Sequence, residues 1–252
     1  MPETPDPAQH VRPFVYEDLT TKALHFSISE IQSRMDVRDP YALDLEYTQT
    51  MMGFLLFHPQ PRHIAMIGLG GGSLAKFCHR YLLQAFIQVV EINPHVIALR
   101  EHFHVPPDGE RFHVMRGDGA HFVRQRATPP DVLMVDGFDN SGLPASLSSQ
   151  RFYDDCYEML RPDGMMVANL HYGHRNYDRH LDRIRRSFGG AVLVADDSEL
   201  SNSIVFACKG TAFESARAGV VRRPEGLDRA AGEQLQGAFA RVSRALRDRD
   251  EQ

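Results

Sequence analysis

The chain has 252 residues, 42% of them hydrophobic and 24% charged, enough to bury a full core as one large α/β domain with appendages. A net charge of -5 at pH 7 leaves no general basic face for nucleic acid. No apolar run approaches the length of a membrane span, and the N-terminus MPETPDPAQH lacks the basic and apolar regions of a signal peptide, so a cytoplasmic protein without a membrane partner is expected.

Residues 1–12 are polar and proline-rich and read as a loose tail. From Arg12 to Val37 short stretches of alternating character, RPFVYEDL, KALHFSI and EIQSRMDV, predict a small antiparallel β appendage. Asp39 as N-cap and Pro40 at the first helical position open a predicted linking helix over Ala42–Phe57, with Leu43, Tyr47, Met51, Phe54 and Leu55 on one stripe. The appendage and linking helix together span 13–61, and His58-Pro59-Gln60-Pro61 leads into the next unit.

Residues 62–210 then alternate with regularity. Strand Ile64–Ile67 precedes helix Ser73–Leu82, strand Ala85–Ile92 helix Pro94–His102, and strand Phe112–Met115 helix Ala120–Arg126. Strand Val132–Val135 precedes helix Ser148–Leu160, and strand Met165–Leu170 helix Tyr177–Phe188. Continuous apolar strands such as VLMV separated by helices predict a parallel sheet covered on both faces. Val192–Ala195 and Ser203–Cys208 are joined by a connection too short for a helical crossover and should pair antiparallel. Residues 211–252 form a polar, arginine-rich tail until Leu227, Ala231, Leu235, Phe239, Val242 and Leu246 trace a final amphipathic helix, fitted to pack on the domain or on a second subunit.

Within this frame His63 to Gly72, HIAMIGLGGG, reads as strand, glycine turn and helix start. Gly68, Gly70 and Gly71 let backbone approach a ligand and aim the unpaired helix amides at it, although such turns also serve tight packing alone. In an open parallel sheet ligands sit at the carboxyl ends of the strands, so the polar residues there are the ones to inspect. Glu91 ends the second strand, roughly 20 residues past the turn, where a carboxylate can accept from both hydroxyls of a ribose. Asp118, in Gly117-Asp118-Gly119, can accept from an adenine amino group and also cap the helix that follows. Asp136 and Asp139, in VDGFDN, follow the buried strand VLMV; Asp136 is a usable proton acceptor if partly buried, or an Asx turn closing the strand.

Cys78, Cys156 and Cys208 stand far apart at apolar positions and read as reduced core thiols. Of the thirteen histidines, His102 with His104 and His171 with His174 lack acidic or cysteine partners at ligand spacing, so no metal is expected.

Five βα units ending in an antiparallel pair resemble the Rossmann-like sheet of class I S-adenosylmethionine-dependent transferases. The runs GLGGG, VVEINP, GDG, PDVLMVDGFDNSG and FYDDCYEMLRPDGMMVANL resemble the spermidine synthase family, the polyamine aminopropyltransferases, and especially its divergent bacterial spermidine-synthase-like members. The resemblance covers roughly Ile31 to Leu170 and includes IQS at Ile31–Ser33 and EYTQTMM at Glu46–Met52. It implies that Gln32 and Tyr47 face the substrate, that Glu91 holds the ribose, and that Asp118 with Gly119 holds the adenine. It implies further that Asp136 is the catalytic base, that Asp139 is an amine-orienting carboxylate, and that the chain forms a homo-oligomer, expected to be a dimer.

The implied reaction moves an aminopropyl group from decarboxylated S-adenosylmethionine, as co-substrate, to a small-molecule amine, releasing methylthioadenosine. This chain departs from the family on the amine side: Ser73 stands at the aligned position of a turn aspartate that helps bind the far amine, Asn140 replaces a proline after Asp139, and Thr48 replaces a His or Gln. Two other readings use the same fold and contacts: a methyltransferase using S-adenosylmethionine itself, and a nucleoside-binding relative without turnover.

Overall fold

In the computed structural model, residues 10–27, 31–125, 128–138, 142–198, 201–216 and 227–249 are described. Three short strands, β1 (Phe14–Glu17), β2 (Thr21–His25) and β3 (Ile31–Asp36), form the expected antiparallel sheet in the order β1-β2-β3. Leu24 and Met35 point inward and join the main core.

The linking segment departs from its expected start. Asp39 does not cap a helix; Tyr41 lies under the guanidinium of Arg80 at 4.6 Å, and the backbone amide of Leu43 donates to Gln234 Oε1 at 3.2 Å. These tertiary contacts hold residues 40–45 in turns, and α1 begins only at Glu46 (Glu46–Met51), tightening into a 3-10 stretch over Met52–Leu56.

The remaining strands are β4 (His63–Ile67), β5 (Phe86–Glu91), β6 (Phe112–Arg116), β7 (Val132–Val135), β8 (Met165–His171), β9 (Val192–Asp196) and β10 (Asn202–Cys208). Between and after them run α2 (Ser73–Tyr81), α3 (Pro94–Ala98), α4 (Gly119–Phe122), α5 (Gln150–Met159), α6 (Tyr177–Ser187), α7 (Ala212–Ser215) and α8 (Arg229–Asp248). Seven strands form one sheet, ordered β6-β5-β4-β7-β8-β10-β9. β4, β5, β6, β7 and β8 run parallel, and β10 inserts antiparallel between β8 and β9. The order reverses between β4 and β7, so the chain's own topology opens a crevice at the carboxyl ends of those two strands.

Alternation along each strand splits the core in two. Ile64, Met66, Val132 and Met134 face α2, α8 and the segment around α1, whereas Ala65, Ile67, Leu133 and Val135 face α4, α5 and α6. Because both faces are covered, β7 and, from Ile64 onward, β4 are continuously apolar rather than alternating with polar residues.

Two helices are shorter than their sequence signals. α3 starts as expected, with Asn93 Oδ1 accepting from His95 N at 3.0 Å and Pro94 in the first turn, but ends at Ala98. The chain then turns to His104, whose φ of 56° sends Val105 against Gly72. α4 ends at Phe122, and Arg126, its expected end, lies outside the described residues. The last helix settles its own alternative: Leu235, Ala238, Val242 and Leu246 are buried, with Leu235, Val242 and Leu246 in the first half-core, so α8 packs on the domain. Asp228 caps it by accepting from Ala231 N at 2.8 Å.

Candidate active site

The crevice contains a cavity of about 530 Å³ reached by the ends of β4, β5, β6, β7 and β8. Gly68, Gly70, Glu91, Asp118, Gly119 and Asp136 all line it, together with Gln32, Tyr47 and Ser73. Gly71 does not line the cavity; it packs beneath β3, where a Cβ would stand 2.7 Å from Ser33 Oγ and 3.0 Å from Phe103. Its lack of a side chain serves close packing of the appendage on the turn. Asp139 lies outside the described residues.

The glycine turn is shaped by backbone demands. Gly68, Gly70 and Gly72 have φ of 95°, 52° and 70°, the left-handed region that glycine enters without steric cost. A Cβ on Gly68 would also lie 2.3 Å from the backbone oxygen of Asp136. Gly68→Ala is therefore expected to combine φ strain with a clash on the loop bearing Asp136, costing about 1–3 kcal/mol or more. Thermal denaturation should show a lower Tm together with lost activity; an unchanged Tm would count against this packing.

Glu91 is buried beside the turn. Its Oε2 accepts from Leu69 N and its Oε1 from Asn93 N, both at 2.8 Å. Burial pushes its pKa up, and the surrounding backbone amides oppose that rise. Its carboxylate lines the cavity with the backbone amides of Leu69, Gly70, Ile92 and Asn93 gathered around it. Asp118 Oδ1 accepts from Ala120 N at 2.8 Å, so it caps α4 while lining the cavity, as the sequence allowed.

Asp136 sits half-buried just past β7 with both oxygens engaged. Oδ2 accepts from the Tyr47 hydroxyl at 3.2 Å, and Oδ1 from Asn169 Nδ2 at 3.0 Å. Burial raises the Asp136 pKa, and the bonds from Asn169 and Tyr47 hold it back. Burial and the adjacent Asp136 also push the Tyr47 phenol well up, so it stays a neutral donor.

Asn169 is the main residue that sequence reasoning missed. It is buried at the end of β8, lines the cavity, and its Oδ1 has no hydrogen-bond partner. The signal was present: one amide in the apolar run MMVANL, at a strand end of the kind that marked Glu91 and Asp136. Phe138 and His171 were missed too; their rings stack at 4.3 Å on the same side of the cavity.

Lys76 stands apart from the cavity. Fully buried on α2, it donates to Phe103 O at 2.8 Å, and burial lowers its pKa to about 8. Neither lysine nor arginine is present among the described lining residues. Among the described residues no group of three His, Cys, Asp or Glu is placed to hold a metal ion. No helix among them is long and apolar enough to cross a membrane.

Residues 45–182 match the spermine/spermidine synthase domain. The chain is 38% identical over 194 residues to a polyamine aminopropyltransferase of Chromobacterium violaceum, covering 77% of this chain and 74% of that one. It is 35% identical over 220 residues to a polyamine aminopropyltransferase of Neisseria meningitidis, covering 86% and 84%. A crystal structure of a probable spermidine synthase from Corynebacterium glutamicum superposes with a TM-score of 0.68 at 18% identity, covering 90% of this chain and 91% of the other, and shares the fold. With the matched domain spanning the glycine turn, Glu91, Asp118 and Asp136, the chain belongs to the spermine/spermidine synthase family.

Proposed function

We infer that the protein is an aminopropyltransferase that uses decarboxylated S-adenosylmethionine and an amine acceptor, with Asp136 as the base. The observation that carries this reading is the Asp136 carboxylate, held by Tyr47 and Asn169 at the mouth of β7 in a chain of this family. The donor's sulfonium supplies an already activated leaving group, so the protein's task is alignment and proton removal.

Glu91 and Asp118 offer acceptors for the ribose and adenine, and the positive-φ glycines leave the space above β4 open. Asp136 attracts a cationic amine and takes its proton, which frees the nitrogen lone pair to attack the propyl carbon and form the new C–N bond. The electrons of the breaking C–S bond return to sulfur, and methylthioadenosine departs neutral. Asn169 Oδ1, buried without a partner, offers the amine a second acceptor beside Asp136. Gln32 and Ser73 complete the acceptor side, and Asp139 is proposed as a second orienting carboxylate.

Decarboxylated donor is favoured over S-adenosylmethionine because the described lining has no lysine or arginine to meet a methionyl carboxylate. The test is calorimetry with methylthioadenosine and both donors, then product analysis with putrescine, spermidine and other amines. Amine-dependent release of methylthioadenosine is expected; methyl transfer, or tight binding without turnover, would overturn the reading. A cytoplasmic location and a homodimer are part of the same proposal; the exposed apolar Phe14 and Tyr16 of β1 and Leu19 of the turn after it support the dimer, which sedimentation equilibrium reads.

A further inference from the structure

We propose that Arg241, on the C-terminal helix, is a positioning residue that fixes Tyr47 against Asp136 through its ion pair with Glu46. The proposal rests on the reading of Asp136 as the base. It concerns α8, which lies beyond the residues 45–182 that match the family domain.

Three polar contacts and one apolar contact seat α8 on the segment that carries Tyr47. Near its start, Gln234 Oε1 accepts from Leu43 N at 3.2 Å. At its middle, Arg241 Nη1 lies 2.8 Å from Glu46 Oε1, and Arg241 Nη2 donates to Thr50 Oγ1 at 3.0 Å. Beside it Val242 covers Gly53 so closely that a Cβ there would stand 2.6 Å from Val242 Cγ2. One guanidinium thus spans the first and last turns of α1, a helix of six residues with no side-chain cap of its own.

Such a helix needs outside support. Nucleation is unfavourable, and six residues are far below the length at which a helix persists alone. Glu46 supplies the link, because it is the first residue of α1 and Tyr47 is the second. It is faced by Arg241 from α8 and by Ser198, which donates to it from the connection between β9 and β10. The pair is about one-quarter to one-third exposed, so its worth lies in orientation more than in stability.

From Tyr47 the effect reaches the reacting group directly, since the phenol donates to Asp136 Oδ2. Tyr47 is the titratable side chain hydrogen-bonded to Asp136 among the described residues; neutral Asn169 approaches from β8, and β4 contributes backbone. Glu91, Asp118 and His171 line the same cavity, the first two bonded to backbone amides and the third stacked on Phe138. A hydrogen bond to the ionised form favours it, so loosening Tyr47 must raise the pH at which Asp136 ionises.

The experiment follows the carboxyl carbon of Asp136 by NMR through a pH titration of the full-length protein, with the signal assigned by its loss in Asp136→Asn. Tyr47→Phe should move the Asp136 midpoint upward by about one pH unit. Arg241→Gln and Glu46→Gln should each move it in the same direction by roughly half a unit or more, and Arg241→Lys should restore most of the original value. In the Tyr47→Phe background, Arg241→Gln should add nothing. A midpoint unmoved by both Arg241→Gln and Glu46→Gln, or a further shift on top of Tyr47→Phe, would overturn the proposal. Should Tyr47→Phe itself leave the midpoint in place, the proposal falls as well, at its last link. The titration needs no turnover, so failure of the aminopropyl reading, seen as absent product, is told apart from failure of this one.

Discussion

Asp136→Asn should lower kcat by about two to four orders of magnitude while the Kd for methylthioadenosine stays within about threefold. The substitution is nearly isosteric, and the neighbours can absorb it. Its amide oxygen can still accept from Tyr47 or from Asn169, and its amide nitrogen can donate to Asn169 Oδ1, which has no partner in the wild type. What disappears is the ability to take a proton. Because burial raises the Asp136 pKa, the wild-type rate should fall on acidification at a pH above the ordinary carboxylate range. The sign is fixed by the role: a base works only when ionised, so activity is present above its pKa and lost below it. The variant's residual rate should lack that limb. Stopped-assay kcat across pH and calorimetric binding check both parts; full activity in the variant would remove Asp136 from the base position.

The side of the cavity assigned to the nucleoside is legible in the sequence as a set of positions, because each of its carboxylates stands at or just past a strand end. Glu91 and Asp118 interrupt apolar patterns at a fixed place in the βα repeat, and the repeat itself dictates that those places converge. Asp136 follows the same rule. Its partners are less visible for a physical reason: Tyr47 reaches it from 89 positions away and Asn169 from 33, through pairings that no local pattern encodes. The start of α1 shows tertiary contact overriding a local signal. Asp39-Pro40 is a sound helix opening, yet Tyr41 is engaged by Arg80 and Leu43 by Gln234, and the helix forms only where Glu46 meets Arg241. Gly71 errs in the opposite direction, since it belongs to the glycine run by sequence but serves packing against Ser33 and Phe103. The seat of α8 is similarly silent, because Gly53 signals close approach only once Val242 is known to lie over it.

Glu91→Ala should act on the other half of the reaction, weakening nucleoside binding by about ten- to a hundredfold before any effect on the chemical step appears. In a family member with a ribose at this place, the diol would lose this carboxylate as its acceptor, and a net loss equal to one hydrogen bond to a charged group, about 1.5–3 kcal/mol, corresponds to that range. The same carboxylate also holds Leu69 N and Asn93 N, one on the glycine turn and one at the cap of α3. Removing it leaves both amides without their acceptor, at about 1–3 kcal/mol for each that water does not reach. The variant should therefore show a lower Tm and a raised KM for the donor together, whereas Asp136→Asn should leave Tm nearly unchanged. Glu91→Gln separates the two causes. Its single oxygen can serve one amide, but its NH₂ group must face the other N–H, so the turn is disturbed even with the volume kept. If ribose binding is the dominant loss, a 2′,3′-dideoxy analogue of methylthioadenosine should bind the wild type and Glu91→Ala with nearly equal affinity. If the turn is the dominant loss, the analogue should discriminate between them as strongly as the parent nucleoside does, and the ribose assignment of Glu91 would be wrong.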